Sequence, residues 1–409
     1  NNFDKVTEIN QNYAPAYFHK AKLLTSPDDF EEAKKNYETA IDINDLYIEA
    51  HYYLAKLYLG GVATDKEGTI IDSKDTAQAE FHFEKVIEIN SNHSKAYYNL
   101  AKIHSDNGNT KKAETLLKKA ISLNSEYSKA HFLLAHVFEL TGKNSQAKKH
   151  YELSIKHFEE NSMAHYRLGV MMYKEDAHES ALAHLNNSAE INPQHAESNF
   201  YIAMILRHDE DASLAKKHFY KALELDPEYS EAYFELGNHS VANGDFNEAK
   251  LHFQKASDLD QNFVLAYFHL AKILNNPSEY DQAYRNYETA LEIDPELSEC
   301  HYWFAKLLSG GEKLKTDGSL ITEPEIPRAK EHLEKALKIN KKYSKAYYKL
   351  GLLLVGESKF KDAMKNFEYA IANDSNFAEA HYQIALLLMD DAVNKILRTS
   401  STKKAKSKN

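Results

Sequence analysis

The residues best able to do chemistry in this sequence are its histidines, its one cysteine and a set of lysines that follow aromatic residues. Twenty-one histidines would suit a metal site or acid–base catalysis. No two of them are three or four apart, however, the spacing that sets a ligand pair on one helix face. His178-Glu179 lacks the second histidine of a zinc-protease helix, and the acidic run from Asp65 to Asp75 fails the spacing of a calcium loop. No phosphate loop, dinucleotide motif or Ser-His-Asp order is present, so catalytic, cofactor and metal residues are all expected to be none. The lysines read differently. Lys22, Lys56, Lys102, Lys272 and Lys306 each stand four residues after a ring, at Phe18, Tyr52, Tyr98, Phe268 and Tyr302. On a helix that spacing puts cation and ring on one face, an arrangement suited to an acidic or aromatic-bearing segment.

What positions these residues is a repeat of 34 residues, seen in Ala96-Tyr97, Ala130-His131 and Ala164-His165. With Tyr17 at position 4, position 8 is always Ala or Gly, position 20 is Ala in every complete repeat, and position 24 is large and apolar, as in Tyr37, Phe83 and Phe253. Positions 4, 7, 8 and 11 line one face of a first helix, and positions 20, 24 and 27 one face of a second. Small residues at 8 and 20 let the two backbones approach, and turns such as Asp106-Asn107-Gly108-Asn109 join them antiparallel. Pro193, Pro227 and Pro295 are expected to end second helices. Over half of the histidines fall into two slots of the repeat, positions 4 and 23, which marks them as packing residues; Cys300 fills a slot that is otherwise mostly Ala.

The layout resembles the tetratricopeptide repeat, whose signature runs W-x2-L-G-x2-Y, then A-x3-F, then P. Here Tyr, His or Asn replaces the Trp and the Gly is usually Ala. The resemblance implies an all-α, right-handed superhelical solenoid of antiparallel helix pairs whose first helices line a concave groove. It also implies the groove residues: Phe18, Lys22, Tyr52, Lys56, Tyr98, Lys102, Phe268, Lys272, Tyr302 and Lys306. The carboxylate clamp used by relatives that hold chaperone tails needs Lys at position 5, which is aromatic throughout here, and the Asn ladder of the glycosyltransferase relatives is missing.

Two repeats carry 12 additional residues between their helices, near 60–75 and 310–325. Each insert opens on a glycine pair, Gly60-Gly61 and Gly310-Gly311, and its β-prone runs flank Glu67-Gly68 or Asp317-Gly318, the pattern of a short hairpin. The inserts are 250 residues apart, and AYFHKAKLL at 16–24 matches AYFHLAKIL at 266–274 at the same offset. A seven-repeat block has been duplicated. The glycine pairs are candidate contacts in either block.

The expected organisation is therefore the end of a preceding repeat at 1–13, about ten full repeats and a partial terminal one over 14–397, and a disordered basic tail at 398–409. The formal charge of -11 argues against nucleic acid, and no apolar run is long enough for a membrane span. One cysteine and no visible signal peptide favour a cytoplasmic, reducing setting, and the opening inside a repeat suggests a longer protein. The expected function is a non-catalytic scaffold binding other proteins, as acidic or extended segments or as further copies or blocks of itself. The alternative is the substrate-recruiting arm of a larger enzyme.

Overall fold

The computed structural model describes residues 2–60, 62–64, 70–72, 74–207, 212–310, 312–314, 320–322 and 324–389. The basic tail, Gly61 and Gly311 lie outside the described residues. The fold is all-α apart from two short hairpins, and the chain divides into two units, Asn1–Ile205 and Leu206–Asn409.

In the first unit a helix, Asn2–Ile9, packs on the pair Ala14–Leu23 and Phe30–Ile43. Four further pairs follow: Ile48–Gly60 with Thr76–Ile89, Ser94–Asp106 with Thr110–Leu123, Ser128–Leu140 with Asn144–His157, and Ser162–Lys174 with His178–Ile191. The helix Ala196–Leu206 comes next. The second unit holds Ala212–Leu225, then Ser230–Ala242 with Phe246–Leu259, Val264–Ile273 with Tyr280–Ile293, Ser298–Gly310 with Ile326–Ile339, and Ser344–Gly356 with Phe360–Asn373. Residues 378–389 are helical again.

The small slots pack as their sizes require. Ala33, Ala79, Ala113, Ala249 and Ala329 at position 20 are buried, as are the large residues Phe83, Leu117, Tyr151, Phe253 and Phe367 at position 24. What ends the second helices, apart from Asn144–His157 with Phe158 at its end, is a polar side chain. Asn44, Asn90, Asn124, Asn192, Asp226, Asp260, Asp294, Asn340 and Asp374 each accept a hydrogen bond from the backbone N–H two residues on, at 2.9 to 3.2 Å. This Asx turn operates with or without the proline that follows it, so Pro193, Pro227 and Pro295 reinforce a stop already made one residue earlier.

Both inserts form hairpins: Val62–Thr64 pairs antiparallel with Ile70–Asp72, and Glu312–Leu314 with Leu320–Thr322. Each is tied at its root by a backbone hydrogen bond to the first helix, from Asp75 N–H to the Tyr58 carbonyl (3.1 Å) and from Glu325 N–H to the Leu308 carbonyl (2.8 Å). The first strand of each lies against a 3-10 turn of the preceding repeat, Pro27–Asp29 or Pro277–Glu279. Those turns exist because Ser26-Pro27 and Asn276-Pro277 close a capping box and shorten the helices before them to 10 residues, Ala14–Leu23 and Val264–Ile273. The capping boxes carry a sequence signal, Ser or Asn three residues before Asp or Glu, that the repeat pattern overshadowed.

Candidate functional site

Eight of the histidines form four pairs inside the repeats. The Nδ1 atoms of His51 and His82 are 2.9 Å apart, those of His131 and His150 2.9 Å, His165 and His184 3.0 Å, and His301 and His332 2.8 Å. Each joins position 4 of a first helix to position 23 of its second helix. Where position 4 is Tyr17 or Tyr267, position 23 is Asn36 or Asn286, whose amide instead donates to the carbonyl of Glu32 (2.7 Å) or Gln282 (2.9 Å). Among the described residues, no group of three or more His, Cys, Asp or Glu side chains is arranged to hold a metal. Cys300 is buried, with Sγ 3.9 Å from the Tyr287 carbonyl oxygen, and burial pushes its thiol pKa up. Because the thiolate is the reactive form, Ellman's reagent is expected to leave the native chain unmodified and to titrate one thiol only in denaturant. Stoichiometric reaction under native conditions would contradict that burial.

The groove-lining expectation divides into two groups. Lys22, Lys56, Lys102 and Lys306 are exposed and Lys272 is partly so. Tyr52, Tyr98 and Tyr302 are half-buried, but Phe18 and Phe268 are only 5% and 2% exposed. Phe18 packs against Tyr37 and Tyr47, and Phe268 against Tyr287, so these two belong to the core and not to an open ladder. The position 5 rings in general wedge between their own second helix and the residue that opens the next repeat. Tyr52 meets His93 at 5.0 Å, Tyr302 meets Tyr343 at 5.1 Å and Tyr348 meets Phe377 at 5.0 Å. Burial pushes the Tyr52 and Tyr302 hydroxyls above the ordinary tyrosine range.

Lys22 and Lys272 lie 5.9 and 5.7 Å from the centres of Phe18 and Phe268, as the spacing predicts. The ring that two lysines share is one position further along, on the following first helix, and the spacing argument did not name it. In the first unit the ammonium groups of Lys22 and Lys56 lie 5.1 and 5.8 Å from the centre of the Tyr53 ring. In the second unit those of Lys272 and Lys306 lie 5.0 and 4.5 Å from the centre of Trp303, the single tryptophan of the chain. Two aromatic residues 250 apart, each flanked by the duplicated lysines, were the available signal. Around Trp303 a groove of about 720 Å³ runs over four successive first helices, lined by Lys272, Tyr302, Lys306, Lys345, Tyr348 and Glu379 among others. Beside it, between the 3-10 turn and the root of the hairpin, a hollow of about 360 Å³ is bounded by Leu274, Pro277, Trp303, Leu307 and Gly310. The first unit repeats the hollow at about 240 Å³ with Leu24, Pro27, Leu57 and Gly60. Gly60 and Gly310 are exposed, one turn beyond Lys56 and Lys306 on the same helices.

Sequence models of the tetratricopeptide repeat match residues 71–121 and 206–273, and a second such model matches 14–45 and 264–297. No curated protein matches the chain. Among solved structures, YrrB, described as a TPR protein with an unusual peptide-binding site, is 26% identical over 45% of this chain and 95% of its own, with a TM-score of 0.40. PilF of Pseudomonas aeruginosa is 18% identical over 52% of this chain and 97% of its own, with a TM-score of 0.48. The Cut9–Hcn1 hetero-tetramer of the APC/C is 14% identical over 92% of this chain and 76% of its own, also with a TM-score of 0.48. Among the described residues, no helix is long and apolar enough to cross a membrane.

Proposed function

Because this chain is a tetratricopeptide-repeat protein, we propose that it is a non-catalytic scaffold that holds extended segments of other proteins along the face made by its first helices. The observation that carries this reading is the groove at Trp303, where residues of four successive repeats converge on one open surface. A groove assembled from a rigid stack is pre-organised, so a partner segment meets side chains already held in place by packing. The two hairpins belong to the same reading as a second set of contacts, since each rises from the helix that carries Lys56 or Lys306. A photo-crosslinking amino acid at Tyr348, in the groove, is expected to join partner proteins, whereas one at the exposed Lys119 on a second helix is not. Equal yields from both positions would remove the groove from the account.

A further inference from the structure

The lysine–ring–lysine arrangement points to the chemistry of the partner, an inference that rests on the scaffold reading and adds to it. Lys272 and Lys306 share one ring, and so do Lys22 and Lys56, which places each pair of ammonium groups within about a Debye length of one another. No carboxylate of a described residue lies within ion-pair distance of Lys22, Lys56 or Lys306, and Lys272 has only Glu299 at 3.9 Å. Lysines elsewhere on the stack are often matched, as Lys330 is with Glu357 at 3.0 Å and Lys216 with Glu248 at 2.9 Å. In the second unit Lys349 is half-buried beside Lys306. Its burial, and then the Lys306 charge, hold its ammonium below the ordinary lysine range. Lys345 lines the same groove, and Lys95 stands at the matching place one block earlier. In a chain whose formal charge is -11, these are two local concentrations of positive charge, matched among the described residues only by Glu299 at Lys272, laid over aromatic faces.

We infer that Lys22–Tyr53–Lys56 and Lys272–Trp303–Lys306 are two independent sites of one kind, each taking an extended acidic protein segment whose carboxylates lie between the ammonium groups, with its chain against the ring. Glu299 and Glu379 in the second groove disfavour a uniform polyanion such as single-stranded nucleic acid. A peptide can place neutral residues opposite those carboxylates, and a phosphate chain cannot.

The test uses the full chain and an acetylated ten-residue glutamate peptide at low salt. Titration is expected to change Trp303 fluorescence saturably, and calorimetry to count two peptides per chain. Lys272→Glu with Lys306→Glu should abolish the fluorescence response and leave one peptide bound. Lys22→Glu with Lys56→Glu should also leave one bound, with the Trp303 response intact, and the corresponding Arg variants should bind as the parent does. Each reversal is expected to weaken its own site at least about tenfold; circular dichroism establishes that the variants keep their helices. Absence of a saturable response, indifference to charge reversal, or equally tight binding of a ten-nucleotide thymidine strand would overturn the inference. Crosslinking of a non-acidic segment at Tyr348 would overturn it while leaving the scaffold reading standing.

Discussion

Acidification from pH 7.5 to 5 is expected to destabilise the chain by several kcal/mol through its histidine pairs. The Nε2 atoms of His51, His131 and His301 lie 3.0 Å from the carbonyl oxygens of Asp45, Ser125 and Pro295, so each donates Nε2–H to them. A neutral ring protonated at Nε2 leaves Nδ1 as an acceptor, and His82, His150 and His332 must then supply Nδ1–H. Such a pair has one shared hydrogen-bond position and no room for two protons in it. Burial is the main cause that lowers these pKa values, to about 4 for His82, His150 and His332, with the partner histidine adding to it. The position 4 partners, and His165 with His184, are lowered for the same main reason.

The sign follows from linkage. An unfolded histidine titrates near 6.5, so below that pH the unfolded chain binds more protons than the folded one. The stability is whole above about pH 6.5 and is lost as the pH falls through that value toward 4. At pH 5 each strongly lowered ring contributes a loss of roughly 1 to 2 kcal/mol, the lower figure applying to the partly exposed rings. Urea unfolding followed by circular dichroism at pH 7.5, 6 and 5 measures it, and a flat midpoint would sink the account. Exchanging one pair for the alternative that other repeats use, His51→Tyr with His82→Asn, should remove that pair's share of the slope.

Replacing Gly237 with alanine should destabilise the second unit, against the usual direction for a helix interior. Alanine in place of glycine normally stabilises a helix by about 1 kcal/mol. Here the added Cβ would stand 2.5 Å from Cε1 and 2.6 Å from Cδ1 of Phe253, a fully buried ring packed against Phe234 and His269. The ring has to shift against Phe234 and His269, and overpacking of about 1 to 3 kcal/mol set against the helix gain leaves a net loss of up to about 2 kcal/mol. Adding Phe253→Leu should restore much of it, since Ala101 and Leu117 occupy these two slots in the first unit and are both buried. Gly60→Ala, where nothing lies within 4 Å of the new Cβ, is the control and should change stability little. An unfolding midpoint for Gly237→Ala at or above the parent's would show that the ring relaxes freely.

Much of the architecture was legible in the residue spacing. Helix faces follow from apolar residues at intervals of three and four, and small residues at positions 8 and 20 announce close backbones; both are local properties that one sequence displays. The inserts were equally readable, because their glycine pairs and β-prone runs are local, and the strands lie inside the ranges the residue types suggested. The histidines were legible as slots but not as partners. A slot repeats every 34 residues, whereas the hydrogen bond joins residues 19 or 31 apart on two helices whose relative rotation is a tertiary quantity.

The lysine face shows the same division. That Lys22, Lys56, Lys272 and Lys306 share a helix face with rings was contained in the sequence. Which ring two of them share was decided by packing. Position 5 wedges between its own second helix and the next repeat, which buries Phe18 and Phe268 while leaving them 5.9 and 5.7 Å from Lys22 and Lys272. The same packing sets Tyr53 and Trp303, at position 6, beneath both ammonium groups of their unit. Adjacent residues on a helix point about 100° apart, so either could have faced outward. Only the angle at which three helices pack against one another selects between them, and no local pattern encodes that angle.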